Sequence, residues 1–420
     1  MLSNRLTDLL LLICLVCDPV LSDGMKVAMI SVHSNPLVAL EGLGAAGKGG
    51  QNMYVWELSR HLAELDYNLT TFTRSEYSNQ TGTIFLSDNN RVTFIEAGPQ
   101  TFLNNQLIYP HVADFSARID KSEFDLVISN YWLSGLVGLT LGLPQIHVHH
   151  SHGLEKYSWV PDRGEGRSRI EVERRINAEA DCVVHQYQGE YRLTNATNYR
   201  LIKPGINTEE YENLAEKETV QRKLQISSNV INVLYVGRFV PQKGIPYALE
   251  ALNKTSHQVA VRLIGGYKDQ PLEYLVDMYP HFHFLGPLPH NVVLEYMAAS
   301  DILIIPSLYE PFGLVAVEAI AAGCCVLCSS IGGIDETVVE GVNGFKFQPK
   351  DSDAILGAFE RLANDPGLMT EMSRRNKRTG RRNYSWRKTA KQFDHAIKDI
   401  ISSGSSKEPQ NFPLTLKQEL

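Results

Sequence analysis

The chain is short of disulfide chemistry, has no apolar run able to span a bilayer, carries no excess of basic charge and shows no dinucleotide fingerprint. Each shortage excludes something. The six cysteines are Cys14, Cys17, Cys182, Cys324, Cys325 and Cys328. Three crowd one apolar run, "GCCVLCSS", where neighbours on one strand point apart or lie too far along it to be bridged. A zinc site would need more ligands at turn-like spacing. The cysteines therefore read as buried thiols in a reducing compartment. The apolar stretch "LLLLICLVC" (9–17) is too short to cross a membrane. With Arg5 ahead of it, it reads either as a signal segment or as part of a dispensable leader over residues 1–24. A fresh start follows at "MKVAMISVH" (25–33), with Met25 a candidate initiator. The formal net charge of -7 argues against a chain built to coat nucleic acid.

What is present is ordinary globular composition, 43% hydrophobic and 21% charged, in a chain long enough for two or three domains. Short apolar runs alternate with helical patterns. "MKVAMISV", "LTTFT", "VTFIEA", "FDLVISN", "PQIHVHH", "DCVVHQ" and "LIKPG" form one series of strand candidates. They are continuously apolar, as strands of a parallel sheet covered on both faces must be. The helix "QNMYVWELSRHLAEL" (51–65) among them repeats Val55, Leu58, Leu62 and Leu65 at steps of three and four. A second series begins at "INVLYVGR" and continues through "VAVRLIGG", "HFHFLG", "DILIIPS", "CCVLCSS" and "GFKFQP". Two βα series predict an α/β protein of two doubly wound parallel-sheet domains facing across a cleft, with the ligand edge at the carboxyl ends of the strands. The expected domains are 25–210 and 211–385, joined through the charged segment 207–229. A C-terminal helix over 386–401 can return to the first domain, and the tail 402–420 reads as disordered by composition.

Four stretches carry chemistry. "GLGAAGKGGQNMYVW" follows the first strand and opens a helix, so its glycines leave amides uncovered for an anion. It is not G-x-G-x-x-G, and no acid follows the next strand in a ribose-binding position. "VGRFVPQKG" (236–244) ends the first strand of the second series, and two cations there, Arg238 and Lys243, can neutralise a diphosphate. "SLYEPFGLVAVEAIAAG" (307–323) places Glu310 before a helix that starts near Pro311–Gly313, and Glu318 about two turns inside it. Eight residues of helical rise is on the order of 12 Å, whereas carboxylate pairs acting on one glycosidic bond stand ~5–9.5 Å apart. The two acids therefore read as holding two hydroxyl-bearing parts of one long ligand. "HVHHSHG" (147–153) invites a metal reading, with only Glu155 as a nearby acid. On a strand His147 and His149 would share one face, and His150 and His152 the other. A single functional histidine at the strand's carboxyl end is preferred. The run "RRNKRTGRRNYSWRK" (374–388) is basic throughout and can contact anionic lipid, although such a run more often covers a solvated helix face.

Together, "YEPFGLVAVEAIAAG", "GAAGKGGQNMYVWELSRHLAEL", "SNYWLSGLVG", "VGRFVPQKG" and "IGGIDETVVEGVNGFKF" resemble the retaining glycosyltransferases of the GT-B fold in the GT4 group. The likeness covers about residues 25–400 and is nearest to the branch with the mycothiol-pathway N-acetylglucosaminyltransferase and sucrose-phosphate synthases. The resemblance implies transfer of a hexosyl unit from a UDP- or GDP-sugar to a hydroxyl acceptor, with no cofactor and no metal. It implies an acceptor-side first domain and a nucleotide-sugar second domain. Glu310 would bind the donor sugar and Glu318 the ribose. Arg238 and Lys243 would bind the diphosphate together with amides at Gly313, Leu314 and Val315 and at Gly49 and Gly50, and His150 would lie beside the transferred sugar. Asn52, Tyr131, Ser151 and Arg169 match the acceptor side, for a sugar, a sugar phosphate or a lipid-linked acceptor. Expected partners are these small molecules and no nucleic acid, with peripheral membrane contact open, in the cytoplasm or at the inner membrane face. Three departures bear on the acceptor: Asn130 where relatives usually have His, His152 within a run that is more usually T-x-H-x-L-G, and Asn207 where Asp is common. A sugar phosphorylase of the same fold is the alternative, separable by assaying both reaction directions. A sugar-nucleotide epimerase lacks the paired-glutamate helix. A degenerate binding module would have lost Arg238, Lys243, Glu310 or Glu318.

Overall fold

The computed structural model describes residues 24–37, 50–159, 166–266 and 271–404. Residues 1–23, expected as a leader, the glycine-rich stretch up to Gly49 and the residues from 405 lie outside the described residues. The first sheet contains β1 (Lys26–Ile30), β2 (Asn68–Arg74), β3 (Thr83–Ser87), β4 (Asn90–Ile95), β5 (Leu126–Asn130), β6 (Gln145–Val148), β7 (Cys182–His185) and β8 (Tyr199–Leu201). Their spatial order is β3-β4-β2-β1-β5-β6-β7-β8. The second sheet contains β9 (Ile231–Val236), β10 (Val259–Ile264), β11 (His283–Gly286), β12 (Ile302–Ile305), β13 (Cys325–Ser329) and β14 (Gly344–Phe347), in the order β11-β10-β9-β12-β13-β14. All pairings are parallel except β3 with β4. These are the two doubly wound domains of the GT-B fold expected from the sequence.

Helices cover both faces. The first domain uses α1 (Gly50–Ala63), α2 (Tyr131–Leu141), α3 (Gly153–Trp159) and α4 (Gly166–Glu179). The second uses α5 (Ile245–Lys254), α6 (His290–Ala299), α7 (Leu314–Ala322), α8 (Gly332–Thr337), α9 (Ser352–Ala363) and α10 (Pro366–Asn383), and α11 (Trp386–Ser402) ends the described chain. Alternate side chains of each strand enter opposite cores, which is why the strands are apolar without a break. Val27 and Met29 of β1 pack with Leu58 of α1 and Phe393 of α11, while Ala28 and Ile30 pack with Leu133 of α2 and Ile176 of α4. In the second domain Ile302 and Ile304 of β12 pack with Leu249 and Phe359, and Leu303 and Ile305 with Met297 and Ala316. Cys182, Cys324, Cys325 and Cys328 are buried free thiols. Burial pushes the Cys182 thiol up to about 11 and that of Cys325 to about 12.

The edge strand β3 escapes a search for continuous apolar runs, because its residues alternate between exposed and half-buried. It folds back antiparallel on β4, with Thr83 opposite Thr93. Among the described residues no helix is long and apolar enough to cross a membrane.

After the second domain the chain crosses back. Ile206 bridges Ser385, and a side chain at Gly205 would run into the backbone of Ser385 and Trp386. Trp386, Ala390, Phe393, Ile397 and Ile400 recur at helical spacing and all enter the first domain's core, while Tyr67 Oη donates to Asp394 at 2.8 Å. The first domain is thus completed by the last helix. Phe393→Ala should cost about 3–5 kcal/mol of stability, the usual cost of emptying a large buried ring site. Denaturant titration of the two proteins checks this.

Candidate active site

Strand order reverses twice, at β1/β5 in the first sheet and at β9/β12 in the second. Loops leaving the carboxyl ends of such strand pairs diverge and open a crevice. In the second domain those loops carry "GRFVPQKG" and "PSLYEPFG". They are tied together: Leu308 N donates to Gln242 O at 2.8 Å, and Gln242 Nε2 donates to Tyr309 O at 3.3 Å. Gly244 has φ +60° and lies so close to the Pro306 carbonyl that a Cβ could not fit. This close approach brings Lys243 Nζ to 2.6 Å from Glu310 Oε2, which also accepts from Ser307 Oγ at 3.1 Å. Lys243 and Glu310 keep 21% and 12% of their side chains exposed, so the pair borders solvent. Arg238 is exposed on the same loop, its carbonyl accepting from Tyr235 Oη at 3.0 Å.

Gly313, at φ +79°, turns the chain into α7, which starts at Leu314. The first turn of a helix leaves amides without intrahelical acceptors. Gly50 opens α1 directly across the cleft, since a Cβ there would touch Leu314 Cδ1 at 3.4 Å. Two helix N-termini, one from each domain, therefore converge with their positive ends. Gly49, the other glycine expected here, is outside the described residues.

Glu318 does not share partners with Glu310. Burial raises its carboxyl above the ordinary value, with His290 acting against the shift. His290 Nε2 lies 3.2 Å from Glu210 Oε2. Burial opposes the charged imidazole, but Glu210, Glu318 and Glu57 outweigh it and hold His290 above its usual value. The sequence reading missed His290 and Glu210, because the pair joins positions eighty residues apart with no local signature.

On the first-domain side two residues at neighbouring strand ends have left-handed backbones: Tyr131 at φ +75° after β5 and His150 at φ +61° after β6. Non-glycine residues hold that conformation only where the surroundings impose it. His150 Nε2 lies 3.0 Å from Asn130 Oδ1, and its Nδ1 lies 3.3 Å from Gln186 Nε2. The amide oxygen must accept, so Nε2 carries the proton and Nδ1 accepts. Burial, with His33 and His149, lowers His150 to about 3. Its edge meets the Tyr54 ring at 4.5 Å.

Arg169 gathers Tyr131 and Ser151. Its Nη1 donates to Tyr131 Oη at 2.9 Å, its Nη2 to Ser151 O and Oγ at 2.8 and 2.7 Å, and its Nε to Glu173 at 2.6 Å. Asn52 is not part of this group through hydrogen bonds; its amide donates to Asn35 O at 2.8 Å. His33, which the sequence reading passed over, lies with its ring tilted 4.4 Å from that of Tyr131, and burial with Arg169 lowers it to about 3.

The expected alternation of the other histidines fails because β6 ends at Val148. His149 and His152 lie in the loop beyond it, with ring centroids 4.3 Å apart. Their carboxylate neighbours come from distant positions, Glu173 on α4 and Glu190; the side chain of Glu155 lies outside the described residues. His152 Nε2 is 3.1 Å from Glu190 Oε1. Burial lowers both His149 and His152 to about 4 and raises Glu190 to about 7.

The domains touch through this loop. His152 N donates to Tyr309 Oη at 3.0 Å, beside Glu310. Gln188 N and Gly189 N each donate to the Glu336 carboxylate at 2.9 Å. The turn they belong to also carries Glu190, so Glu336 fixes the support of His152 from across the cleft.

Two cations near two facing helix N-termini, with two separately held carboxylates beside them, have the chemistry to receive a long anionic ligand that bears hydroxyl groups. The comparisons name the class. The model of group 1 glycosyl transferases matches residues 216–381, and that of glycosyltransferase family 4 matches residues 48–210. The chain belongs to this GT4 glycosyltransferase family. It is 28% identical to a D-inositol 3-phosphate glycosyltransferase of Geodermatophilus obscurus over 402 residues, covering 87% of each chain. It is equally similar, at 28%, to the enzyme of that name in Corynebacterium glutamicum, covering 90% of this chain and 98% of the other. The sucrose-phosphate synthase structure from Thermosynechococcus elongatus superposes with a TM-score of 0.82 at 29% identity, over 90% of this chain and all of that one. An Anabaena HepE structure with UDP and glucose shares the fold at a TM-score of 0.69 and 18% identity, over 89% of this chain and all of that one.

Two predictions follow from these contacts. The imidazoles of His33, His149, His150, His152 and His185 have folded-state values of about 3–4 against ~6.5 unfolded. Below ~6.5 the unfolded chain binds protons that the folded one refuses, so stability falls as pH drops from ~6.5 towards 4. Glu190, Glu318, Glu76 and His290 run the other way, being held above their ordinary values, but the depressed imidazoles outnumber them, and His147, also pushed down by burial, adds to that side. Melting temperature in EDTA-containing buffer should therefore fall steeply from pH 7 to pH 5. Glu336→Ala, which removes both interdomain acceptors, should cost about 1–3 kcal/mol of closed-state stability and increase the radius of gyration in small-angle scattering. Glu336→Gln, keeping one acceptor oxygen, should fall between that variant and the native protein.

Proposed function

We propose that the protein is a retaining glycosyltransferase that moves a hexosyl unit from a UDP- or GDP-linked sugar to the hydroxyl of a sugar, sugar-phosphate or lipid-linked acceptor. The observation that carries this reading is the 2.6 Å contact between Lys243 and Glu310 at the mouth of the second domain. It holds a cation and a sugar-sized hydrogen-bond acceptor side by side, beside the first turn of α7. In this reading Glu310 accepts from the donor sugar's hydroxyls and Glu318 from those of the ribose. Arg238 and Lys243 take the diphosphate with the amides of Gly313, Leu314, Val315 and Gly50. An ammonium has three donors, so Lys243 can keep Glu310 while turning to a phosphate oxygen.

As the bond from the anomeric carbon to the phosphate oxygen breaks, its electron pair stays with the diphosphate, and charge accumulates where the two cations already stand. Stabilisation by groups placed beforehand is a large catalytic effect, and with protein cations in that role we read the transfer as needing no metal ion at the diphosphate. His150, held neutral between Asn130 and Gln186, lies on the transferred sugar's side. The acceptor enters by Tyr131, Ser151 and Arg169, with Asn52 at the cleft end of α1. Buried unpaired thiols fit a cytoplasmic enzyme. Arg374, Arg378, Arg382, Arg387, Lys388 and Lys391, exposed along α10 and the start of α11, offer a contact for the anionic inner face of a membrane.

The test is donor turnover. Among UDP-glucose, UDP-N-acetylglucosamine, GDP-mannose and ADP-glucose, one should raise the melting temperature and be hydrolysed or transferred. Glu310→Gln and Lys243→Ala should each lower kcat by about 10²–10³-fold, the scale of losing one preorganised transition-state contact, with unchanged circular dichroism. Silence with all four donors overturns the reading. Faster turnover of sugar with inorganic phosphate would mark a phosphorylase instead.

A further inference from the structure

The histidine loop that supports the acceptor side contains a second constellation that the transfer does not use. One ligand atom from each of His149, His152 and Glu173 lies within 4.8 Å of the others, and all three residues are buried. We propose that His149, His152 and Glu173 bind a transition-metal dication of the zinc class, as a structural site behind the loop that carries His150 and Ser151.

Three observations support it. First, the donor set is two imidazoles and one carboxylate, which suits zinc and its neighbours and not magnesium or calcium. Second, each ligand is already oriented from behind. His149 Nε2 meets Asn177 Oδ1 at 2.5 Å, His152 Nε2 meets Glu190 Oε1 at 3.1 Å, and Glu173 accepts from Arg169 Nε at 2.6 Å and from Gly153 N at 2.8 Å. Outer partners of this kind fix ring orientation and raise ligand basicity at metal centres. With both Nε2 atoms engaged, each ring has Nδ1 left to offer. The Nδ1 of His149 has only His147 Nε2, at 3.4 Å, the longest bond of the network and the one that coordination would replace. Third, a carboxylate with no cation bonded to it lies one imidazole away. Of two buried carboxylates, Glu173 and Glu190, the first bonds the Arg169 guanidinium, while the second is met by His152 Nε2 and the Gln186 amide. Buried charges need compensation, and a dication beside Glu173 and within one imidazole of Glu190 supplies it.

A bound ion would tie the loop 149–153 to α4 and hold His150 in its left-handed conformation. The site stands apart from the diphosphate, so its test does not depend on glycosyl transfer. The full-length chain, carrying no polyhistidine tag and stripped with EDTA, is titrated with Zn²⁺ against a competing chelator and loaded separately with Co²⁺. The expected result is one equivalent of Zn²⁺, a visible Co²⁺ absorption of low-symmetry nitrogen–oxygen coordination, and a raised melting temperature. Asn177→Ala should weaken binding by roughly 10–100-fold, as losing an outer partner does, and His152→Leu by more. Substoichiometric Zn²⁺ in the native protein overturns the proposal, as does equal affinity in folded His152→Leu. Where circular dichroism shows that variant unfolded, Asn177→Ala decides: unchanged affinity there also overturns it.

Discussion

Lys243 and Glu310 are 67 residues apart and meet only because β9 and β12 are neighbours at the point where the second sheet changes direction. Every other feature of the proposed donor side depends on that adjacency. The loops after the two strands are close enough to exchange backbone bonds, so Gly244 can press on the Pro306 carbonyl and Gly313 can turn α7 towards the cleft. Moving either strand one place along the sheet would separate the cation from the carboxylate by a strand spacing of ~4.8 Å and dissolve the site. The first sheet uses the same device at β1 and β5, where His33 and Tyr131 come together. The cleft is thus two switch points facing each other, and the residues that bear chemistry are those the strand order allows to meet.

The two sides differ electrically. The donor side keeps its charges near water: Arg238 is exposed, and Lys243 and Glu310 border solvent. A multiply charged ligand can enter there without first breaking a buried pair. The histidine loop is buried, and its imidazoles are neutral, so its order comes from directional hydrogen bonds. His149 Nε2 must donate to the Asn177 oxygen, His149 Nδ1 then accepts from His147 Nε2, and His147 Nδ1 accepts from Ser129 Oγ, 2.9 Å away. Each proton position follows from the one before. Such a chain sets one loop conformation, and Glu336 and Tyr309 connect that conformation to the second domain.

The two-sheet architecture was legible in the sequence because parallel strands covered on both faces leave a mark, continuous apolar runs, that needs no partner to be read. Strand β3 left none: as an edge strand it faces water and alternates. The stretches that carry the residues proposed for the donor stood out for a related reason. Glu310, Glu318, Arg238 and Lys243 sit in short stretches whose glycine and proline spacing reflects the loop geometry itself. The charged neighbours of Glu318 were not legible. His290 and Glu210, which act on its charge, come from separate elements, and nothing in "PLPHN" or "NTEEY" marks an arrangement set by tertiary packing. The histidine run misled in one respect. Alternation along a strand separates His149 from His152, but the strand stops at Val148, and beyond it the loop brings the two rings together. The acids that face them, Glu173 and Glu190, lie twenty or more residues away in sequence, so a search for nearby ligands finds only Glu155.

Arg169 shows how the acceptor side would work. Its guanidinium has five N–H donors, and the structure engages four: one on Glu173, one on Tyr131 Oη and two on Ser151. Its charge is matched by Glu173, and its side chain is buried. An acceptor arriving here would meet Arg169 mainly through the groups it holds, the Tyr131 and Ser151 hydroxyls, whose oxygens the guanidinium polarises and aims. One remaining donor is enough for a single hydrogen bond but not for the two-pronged grip that arginine offers to a free phosphate or carboxylate. A phosphorylated acceptor would have to take the Nη1 and Nη2 donors from Tyr131 and Ser151, while Nε keeps Glu173. In the structure as it stands, the charge of Arg169 serves first to hold Tyr131, with its left-handed backbone, and the loop after β6 in one arrangement.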